Sequence, residues 1–593
     1  MTAEDIKVPA KTGSEWWKEG TVYQIFPQSF KDSNGDGVGD LGGIIEKLDY
    51  LQSIGVDVIW LSPMYDGPQI DTGYDISNYQ DIYPPFGSLE DMDRLIDECH
   101  KRKMRVMLDL VISHTSSKHP WFLESKSSKD NPKRGWYFWK PANYDDDGNR
   151  LPPNNWKSVF GEDSAWKWDE ETEEYYLHLF TEGQPDLNWD NEDMRKAIID
   201  EAIVYWVDRG VDAFRIDAAN MLSKPEGLPD APVVFNDWPW QNPTALTCNG
   251  PNIHKYLLEI GKKLRELNII SAGELPFTCE KDHVLEYLSG DKKQLDMAFM
   301  FEVVGTGMGP GRKYEVTPKD FSLSQWKGAW SQIQHVMNGT DAWVAVFLES
   351  HDQARSISRY ADDSPEFRVP SGILLAMLQA TMSGTLYLYQ GQEIGMLSVP
   401  DDFPLEKMKD VESNYYYDFV KETQGDDQEA LDRAAAAVRY LSRFNARMPI
   451  PWDGNEPYFG FSDKDPVSPF HPLNKEINVA SQLNDEGSIL AFWKRMIKLR
   501  KDNANTFVYG DYTPIRPDHE HLFIYTKQSG DDRILVVMNF STEHIEWYYE
   551  VKEVTEEPEK LELIVSTTDE LNGGTMGPFE GRVFRVPGEK NEG

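Results

Sequence analysis

Three short strings could do chemistry: Phe214-Arg215-Ile216-Asp217, Ala272-Gly273-Glu274-Leu275 and Glu349-Ser350-His351-Asp352. Each belongs to an apolar, strand-like run that reaches an acid at or near its end. A carboxylate inside such a run is costly unless it sits at the open end of the strand, in a site. Three ends that each deliver a carboxylate predict one acidic pocket, and paired carboxylates flanking one bond are the equipment for cleaving a glycoside. Taken singly, an Asp at a strand end is more often a cap or an ion-pair partner. The co-occurrence of Arg-x-Asp, Gly-Glu and His-Asp on separate runs is what argues for a site. Arg215 and Asp217 are two residues apart, so on a strand they share a face. A cation there would hold Asp217 ionised.

The elements that must position these acids alternate. Strand-like runs fall at Thr21–Pro27, Val56–Pro63, Arg105–His114, Asp212–Ala218, Asn268–Leu275, Gln294–Glu302, Trp343–Ser350 and Thr385–Gln392. Between them lie runs with helical spacing, among them Gly43–Ile54, Leu89–Lys103, Met194–Asp208 and Ile253–Leu267. Eight β-then-α units predict an α/β fold, a TIM-type (β/α) eight-stranded barrel, whose chemistry lies at the C-terminal ends of the strands. Roughly eighty residues between His114 and the Met194 helix are too many for a plain loop. A small inserted domain after strand 3 is expected there. After residue 511 short antiparallel strands are expected at Leu522–Lys527, Arg533–Asn539 and Glu546–Lys552, making a terminal β-sandwich. The resulting division is residues 1–114 and 191–511 for the barrel, 115–190 for the insert and 512–593 for the C-terminal β domain. Lys552–Glu559 reads as a solvated acidic loop, and the last six residues as disordered.

Composition narrows the function. The 593 residues carry 60 Lys and Arg against 100 Asp and Glu, a net charge of −40, so nucleic acid and anionic membrane are excluded as partners. Three cysteines without a Cys-x-x-Cys pair fit a reducing compartment and offer no zinc motif. The acidic start Met1-Thr-Ala-Glu-Asp has no apolar signal region, and no 18-residue apolar run is present. A cytoplasmic protein is expected.

The motifs resemble the four signature regions of the α-amylase family of glycoside hydrolases: Asp109…His114, Val211-Asp-Ala-Phe-Arg-Ile-Asp217, Gly273-Glu274 and Ser350-His351-Asp352. Gln184-Pro-Asp-Leu-Asn188 resembles the extra signature of the oligo-1,6-glucosidase and maltase branch, and Ser223-Lys-Pro-Glu-Gly-Leu-Pro-Asp230 its fungal maltase and isomaltase group. The resemblance implies Asp217 as nucleophile, Glu274 as general acid/base and Asp352 as the third acid, which orients the sugar. It implies sugar binding by Tyr74, Asp75, His114, Phe180, Arg215, Ala218, His351 and Arg443, with Asp75 closing the pocket on the non-reducing end. A retaining mechanism requires Glu274 protonated, and neighbouring carboxylates would raise its pKa.

No organic cofactor is expected. Asp32-Ser-Asn34-Gly-Asp36-Gly-Val38-Gly-Asp40 resembles the first part of an EF-hand loop, but Gly43 stands where the twelfth-position Glu would be. In the family branch the matching loop holds a structural calcium through Asp32, Asn34, Asp36, the Val38 carbonyl and Asp40. Ser113, Ser350 and Ala354 replace residues usual in the family, and with Ser113 no second calcium is expected.

The reading is an exo-acting, retaining α-glucosidase that removes terminal α-1,4-linked glucose from maltose and short malto-oligosaccharides, with sucrose as a second substrate. The expected partner is the small oligosaccharide substrate. In this branch the residue after the nucleophile tracks linkage, valine with α-1,6 and alanine or threonine with α-1,4; here it is Ala218. The alternatives are an α-1,6-specific oligo-1,6-glucosidase or isomaltase, a transglucosylase, and a non-catalytic amylase-like binding subunit. Sucrose isomerases of the family carry Arg-Leu-Asp-Arg-Asp after the sixth strand, where this chain has Gly309-Pro-Gly-Arg-Lys-Tyr-Glu315.

Overall fold

The computed structural model describes residues 15–587 except 237, 291–292 and 321. Both chain ends, including the last six residues, lie outside the described set. Eight parallel strands form the central sheet: β1 (Thr21–Ile25), β2 (Val58–Leu61), β3 (Arg105–Leu110), β4 (Ala213–Ile216), β5 (Ile270–Glu274), β6 (Met297–Phe299), β7 (Ala345–Val346) and β8 (Thr385–Tyr389). Their spatial order is β6-β5-β4-β3-β2-β1-β8-β7. The sheet closes on itself where Ala298 of β6 pairs in parallel with Val344, just before β7, and the Ala298 N–H donates to the Trp343 carbonyl at 3.1 Å. The expected strands are all present, shortened at their ends.

These runs are mostly apolar because both faces are covered, and the buried exceptions are few, Gln24, Asp109 and Arg215 among them. Inside the barrel, Trp60, Phe299 and Tyr387 pack edge-on or tilted at 4.8–6.0 Å, and the Tyr387 hydroxyl reaches Met297 Sδ at 3.2 Å. Strands 2, 6 and 8 therefore supply one layer of the filling, as alternate strands do in such barrels. Outside, the helix Leu89–Lys101 buries Met92, Leu95, Ile96 and Cys99, an i, i+3, i+4, i+7 stripe, and a Ser88–Asp91 capping box starts it.

Several helical expectations change in detail. The Gly43–Ile54 run is two helices, Leu41–Glu46 and Leu48–Ile54, broken at Lys47. The Met194–Asp208 helix opens into a π turn at Ile199–Val204, flanked by Glu192–Ile198 and Tyr205–Asp208. The wider turn keeps Ile199, Ala202, Ile203 and Trp206 on the buried side, where the Trp206 indole donates to the Tyr79 carbonyl at 2.8 Å.

Between β3 and β4 the chain forms a three-stranded antiparallel sheet, Trp139–Lys140, Glu174–Leu177 and Trp166–Asp169, with Glu174–Leu177 in the middle. Its apolar face has its own cluster, in which Trp156, Trp166, Leu177 and Leu179 meet Met221 and Leu228 from the loop after β4. The insert and that loop thus make one wall above the barrel. The loop is held by the Trp156 indole donating to the Pro229 carbonyl at 2.8 Å and the Asn154 amide to the Leu228 carbonyl at 3.0 Å.

At the C-terminus, β9 (Asp511–Ile515), β10 (Leu522–Ser529), β11 (Asp532–Asn539), β12 (Glu562–Ser566) and β13 (Gly581–Val586) make an antiparallel sheet in the order β9-β10-β11-β13-β12. One face joins the main core through Phe523, Tyr525, Val536 and Met538. The other covers a second cluster with Trp547, Val551 and Met576. The strand expected at Glu546–Lys552 is a correction. Only Ile545–Glu546 pairs, with Thr575–Met576, and Tyr548–Val551 is a 3-10 turn. The turn lets Trp547 stack on Phe584 at 5.1 Å and buries Val551, which a straight strand could not do together. A buried cation ties this sheet to the barrel side: Lys527 donates to the Thr381 and Phe507 carbonyls at 3.2 and 2.9 Å, and beside it Arg500 of the helix Ile489–Asp502 donates to those of Ala380, Met382 and Phe507 at 2.7–3.0 Å.

Candidate active site

Strand register brings the acids together. On β4, Arg215 lies opposite Asp109 of β3 and Ala272 of β5. Asp217 is two residues further on the same face as Arg215, and Glu274 two residues beyond Ala272 on the next strand. One guanidinium, 1% exposed, therefore meets three carboxylates: Nη1 pairs with Asp109 and, at 2.9 Å, with Asp217, while Nη2 pairs with Glu274. Asp109 also accepts from the Trp60 indole at 3.1 Å and the Tyr74 hydroxyl at 3.3 Å.

A second ionic cluster faces the first. Asp352, beyond β7, accepts from Arg447 at 3.0 Å and from Arg443 at 3.4 Å, and its other oxygen lies 3.1 Å from His351 Nε2. Arg443 also pairs with Asp71 at 3.1 Å and with Asp410 at 2.7 Å. Between the clusters is a cavity of about 160 Å³, lined by Asp217, Glu274, Asp352, Tyr74, His114, Phe180, Ala218 and Arg443, and also by Asp71, Phe160, Gln184, Met221, Pro276, Phe277 and Phe301. That volume lies below the roughly 300–1,000 Å³ of pockets for drug-sized ligands and suits a single ring.

The two clusters hold protons differently. Three acids share one guanidinium around Arg215; three acids share two around Arg443 and Arg447. Burial, with Asp352 and Asp71 nearby, raises Asp217 to about 6 although Arg215 opposes the shift. Asp109 is pushed up to about 7 by burial, again against Arg215. Glu274 is raised first by burial and then by Asp217 and Asp352. Asp352 goes the other way: burial opposes ionisation, but His351, Arg443 and Arg447 hold it well below the usual carboxylate range. Asp410 falls to about 2 as Arg443, Arg447 and Lys313 overcome its burial. Asp71 is raised by burial against Arg443 and Arg447, so each cluster holds a raised acid, but the Arg215 side holds three of them, Asp109, Asp217 and Glu274. The expected cause for Glu274, neighbouring carboxylates, is present but ranks after desolvation.

The other residues expected in the site lie around this frame, not all of them in the cavity wall. His114 and His351 are lowered chiefly by burial and are neutral imidazoles. His351 stacks on Tyr74 at 5.2 Å and lies behind the cavity wall, as Arg215 does. The Gln184 amide lies 3.0 Å from His114 Nε2 and donates to Asp71 at 3.2 Å. Phe180 packs on His114 and on Phe160, each at 5.2 Å, and Phe160 carries the Arg443 guanidinium at 4.6 Å. Ala218 stands in the left-handed region, φ 42°, and its N–H points to Glu274 Oε2 at 3.3 Å.

Asp75 is a correction. Its carboxylate accepts from the Ile70 and Asp71 N–H groups at 2.9 and 3.1 Å, so it caps the turn beneath the pocket, where burial raises it to about 6. The carboxylate in the cavity wall is Asp71. Thr72 and Gly73, at φ 43° and 104°, reverse the chain between the two acids and send them to opposite sides. Asp71 opens the same Asp-Thr-Gly-Tyr-Asp string as Asp75, so residue type alone could not separate them. Gln184 belongs to a recognised string, yet its role needed the insert to be placed. Arg447, which holds Asp352 and donates to the His351 carbonyl at 3.0 Å, gave no separate signal.

The loop of Asp32, Asn34, Asp36, Val38 and Asp40 follows β1. Asp32 accepts from the Asn34, Gly35 and Gly37 N–H groups at 2.7–3.0 Å, and Asp40 from Ser33, Asn34 and Gly43 at 2.6–3.2 Å. Among the described residues, no three His, Cys, Asp or Glu side chains are grouped as metal ligands. The donor set is nevertheless all hard oxygen, three carboxylates, an amide and a carbonyl within nine residues, and that chemistry suits calcium.

Residues 24–510 match the catalytic domain of α-amylases. The chain belongs to the α-amylase family. Within it, an α-glucosidase of Candida albicans is 45% identical over 576 residues, 96% of this chain and 99% of that one. An oligo-1,6-glucosidase of Saccharomyces cerevisiae is 43% identical over 587 residues, covering 97% and 98%. Of solved structures, an isomaltulose synthase from Klebsiella superposes with a TM-score of 0.89 at 36% identity, over 98% of this chain and all of that one. The family's barrel, with an antiparallel C-terminal sheet, is the fold found here.

The two aspartates of the Tyr74 turn make the assignment testable. Asp71→Asn should lower kcat/KM on an α-glucoside by about 10–10²-fold, as loss of a charge-assisted hydrogen bond does. Asp75→Asn should mainly lower the thermal midpoint. The reverse pattern would return the pocket-closing role to Asp75.

Proposed function

We propose that this protein is a retaining, exo-acting α-glucosidase that releases terminal α-1,4-linked glucose from maltose and short malto-oligosaccharides, sucrose being a second substrate. The observation that carries the reading is the chamber itself: a ring-sized cavity, walled at one end by the Asp71–Arg443 pair, with Asp217 and Glu274 on the two Nη atoms of one guanidinium. Named relatives that act as α-glucosidases over the whole chain support it.

Position supports the following roles. Asp217 attacks the anomeric carbon and forms a glucosyl ester as the C1–O bond to the leaving sugar breaks. Glu274 gives its proton to the departing oxygen, then takes one from the water that hydrolyses the ester. Glu274 suits the acid role because its strand runs on into Pro276 and Phe277, towards the cavity mouth where a leaving group would sit. Asp352, fully ionised between Arg443 and Arg447, supplies negative charge for an oxocarbenium-like transition state. Tyr74 presents a ring face to the sugar, while His114 and Gln184 offer polar atoms to its hydroxyls. Activity belongs to the pH window in which Asp217 has lost its proton and Glu274 has kept its own.

Ala218 favours α-1,4 over α-1,6 cleavage. Its methyl leaves room beside Glu274 for the angled leaving sugar. Gly309-Pro-Gly-Arg-Lys-Tyr-Glu315, in place of the isomerase loop, favours hydrolysis over isomerisation. Two proposals rest on chemistry rather than on the chamber. The acidic loop after β1 holds a structural calcium through Asp32, Asn34, Asp36, the Val38 carbonyl and Asp40. Three free cysteines, two of them buried, and no described helix long and apolar enough to cross a membrane support a cytoplasmic location.

Three measurements test the reading. Wild-type protein should release glucose from p-nitrophenyl α-glucoside, with the α anomer appearing first by NMR, and Asp217→Asn should lose at least about 10³-fold in kcat. β-Glucose first, or activity that survives the substitution, would remove the mechanism. Ala218→Val should raise the isomaltose-to-maltose ratio of kcat/KM by about tenfold; an unchanged ratio would show that linkage is decided elsewhere. Chelation should lower the thermal midpoint by several degrees, reversed by added calcium, because a ligand bound only by the native state stabilises it. An unmoved midpoint would eliminate the ion.

A further inference from the structure

Outside the ring-sized chamber lies a second cavity of about 410 Å³, and Val159, Phe160 and Phe277 line both. Its outer rim is residues 305–315, which follow β6 and carry glycine at 305, 307, 309 and 311. The strap is not slack. A Cβ on Gly309 would lie 2.0 Å from the Arg312 carbonyl oxygen, and one on Gly311 would lie 2.7 Å from the Phe235 ring. The chain is folded tightly on itself and against the loop after β4.

Two neighbouring cations pin it. Arg312 donates to Glu162 of the insert at 2.9 Å and to Glu315 at 2.9 Å, with its guanidinium between the rings of Phe235 at 4.5 Å and Phe419 at 5.1 Å. Lys313 pairs at 2.5 Å with Glu412, which begins the helix Val411–Gln424 and also accepts from the Tyr314 hydroxyl at 3.1 Å. Side chains of both pairs are 8–19% exposed, so they are less screened than surface pairs. Three separate segments are thereby fastened across the outer cavity. Glu412 also lies 3.8 Å from Arg443, which walls the inner chamber.

We propose that this pinned strap sets the length of the leaving group, admitting one or two sugar rings and obstructing longer chains. The inference rests on the glucosidase reading and names its substrate class: neutral di- and trisaccharides. The outer cavity is about two and a half times the volume of the chamber that takes one ring. Its three cations are balanced by three glutamates, Glu162 pairing with both Lys157 and Arg312, Glu315 with Arg312 and Glu412 with Lys313, so the space suits an uncharged ligand. A longer chain must displace the strap and break both pins.

The experiment measures kcat/KM of the full chain on maltose through maltohexaose. A fall of about tenfold between maltotriose and maltotetraose is expected; a flat series through maltohexaose would overturn the proposal whatever any variant does. Arg312→Met with Lys313→Met should flatten the fall to within about threefold. A fall of unchanged size and position, in a variant whose melting midpoint matches wild type, would also overturn it. Absence of glucose release from every member and from p-nitrophenyl α-glucoside would instead defeat the glucosidase reading, so the two failures are distinguishable.

Discussion

One buried guanidinium shared by three carboxylates is the constraint on which the rest depends. Arg215 is always charged, and in a low-dielectric setting that charge is worth far more than in water. It makes the cluster of Asp109, Asp217 and Glu274 possible inside an apolar barrel, but it cannot neutralise all three. The excess negative charge, together with burial, is what keeps a proton in the cluster. A glycosidase needs one carboxylate charged and one protonated at the same pH, and the shortage of a cation supplies that condition without any further residue.

The opposite wall is built on the reverse ratio. Arg443 and Arg447 serve Asp71, Asp352 and Asp410, and Asp352 and Asp410 are held ionised. The chamber is therefore uneven: Asp352 and Asp410 are fixed anions on one side, where only Asp71 is raised, and three raised acids lie on the other. Neither arginine lies on a barrel strand; both follow β8, in the 3-10 turn Arg443–Ala446 and the residue after it. The barrel's own strands and strand ends provide Asp217, Glu274 and the Arg215 they share, while later loops provide the cations that hold Asp352 ionised. That division matches the way such barrels carry chemistry, with a rigid scaffold and variable loops.

How much was legible in the chain varies with the range of the interaction involved. The eight strands could be read because covered parallel strands are apolar along most of their length, a local signal. The three acids could be read because a charge ending an apolar run is costly and therefore meaningful. Asp71 and Asp75 could not be told apart, since the backbone turn at Thr72 and Gly73 decides which carboxylate faces inward. Tyr548–Val551 was misread as strand because its aromatic and β-branched residues suit a pleated surface, whereas the packing of Trp547 on Phe584 required a turn.

By itself, the order of residues determined the barrel, the acids at its strand ends and the sharing of one face by Arg215 and Asp217, because these follow from two- and 3.6-residue periodicities that need no knowledge of distant neighbours. Only the tertiary structure decided which acid keeps a proton, which of two aspartates closes the pocket, and that Arg312 and Lys313 fasten a rim across its mouth. Those outcomes depend on desolvation and on charges hundreds of residues apart, such as Arg443 with Asp71, and such terms exist only once the chain has closed on itself.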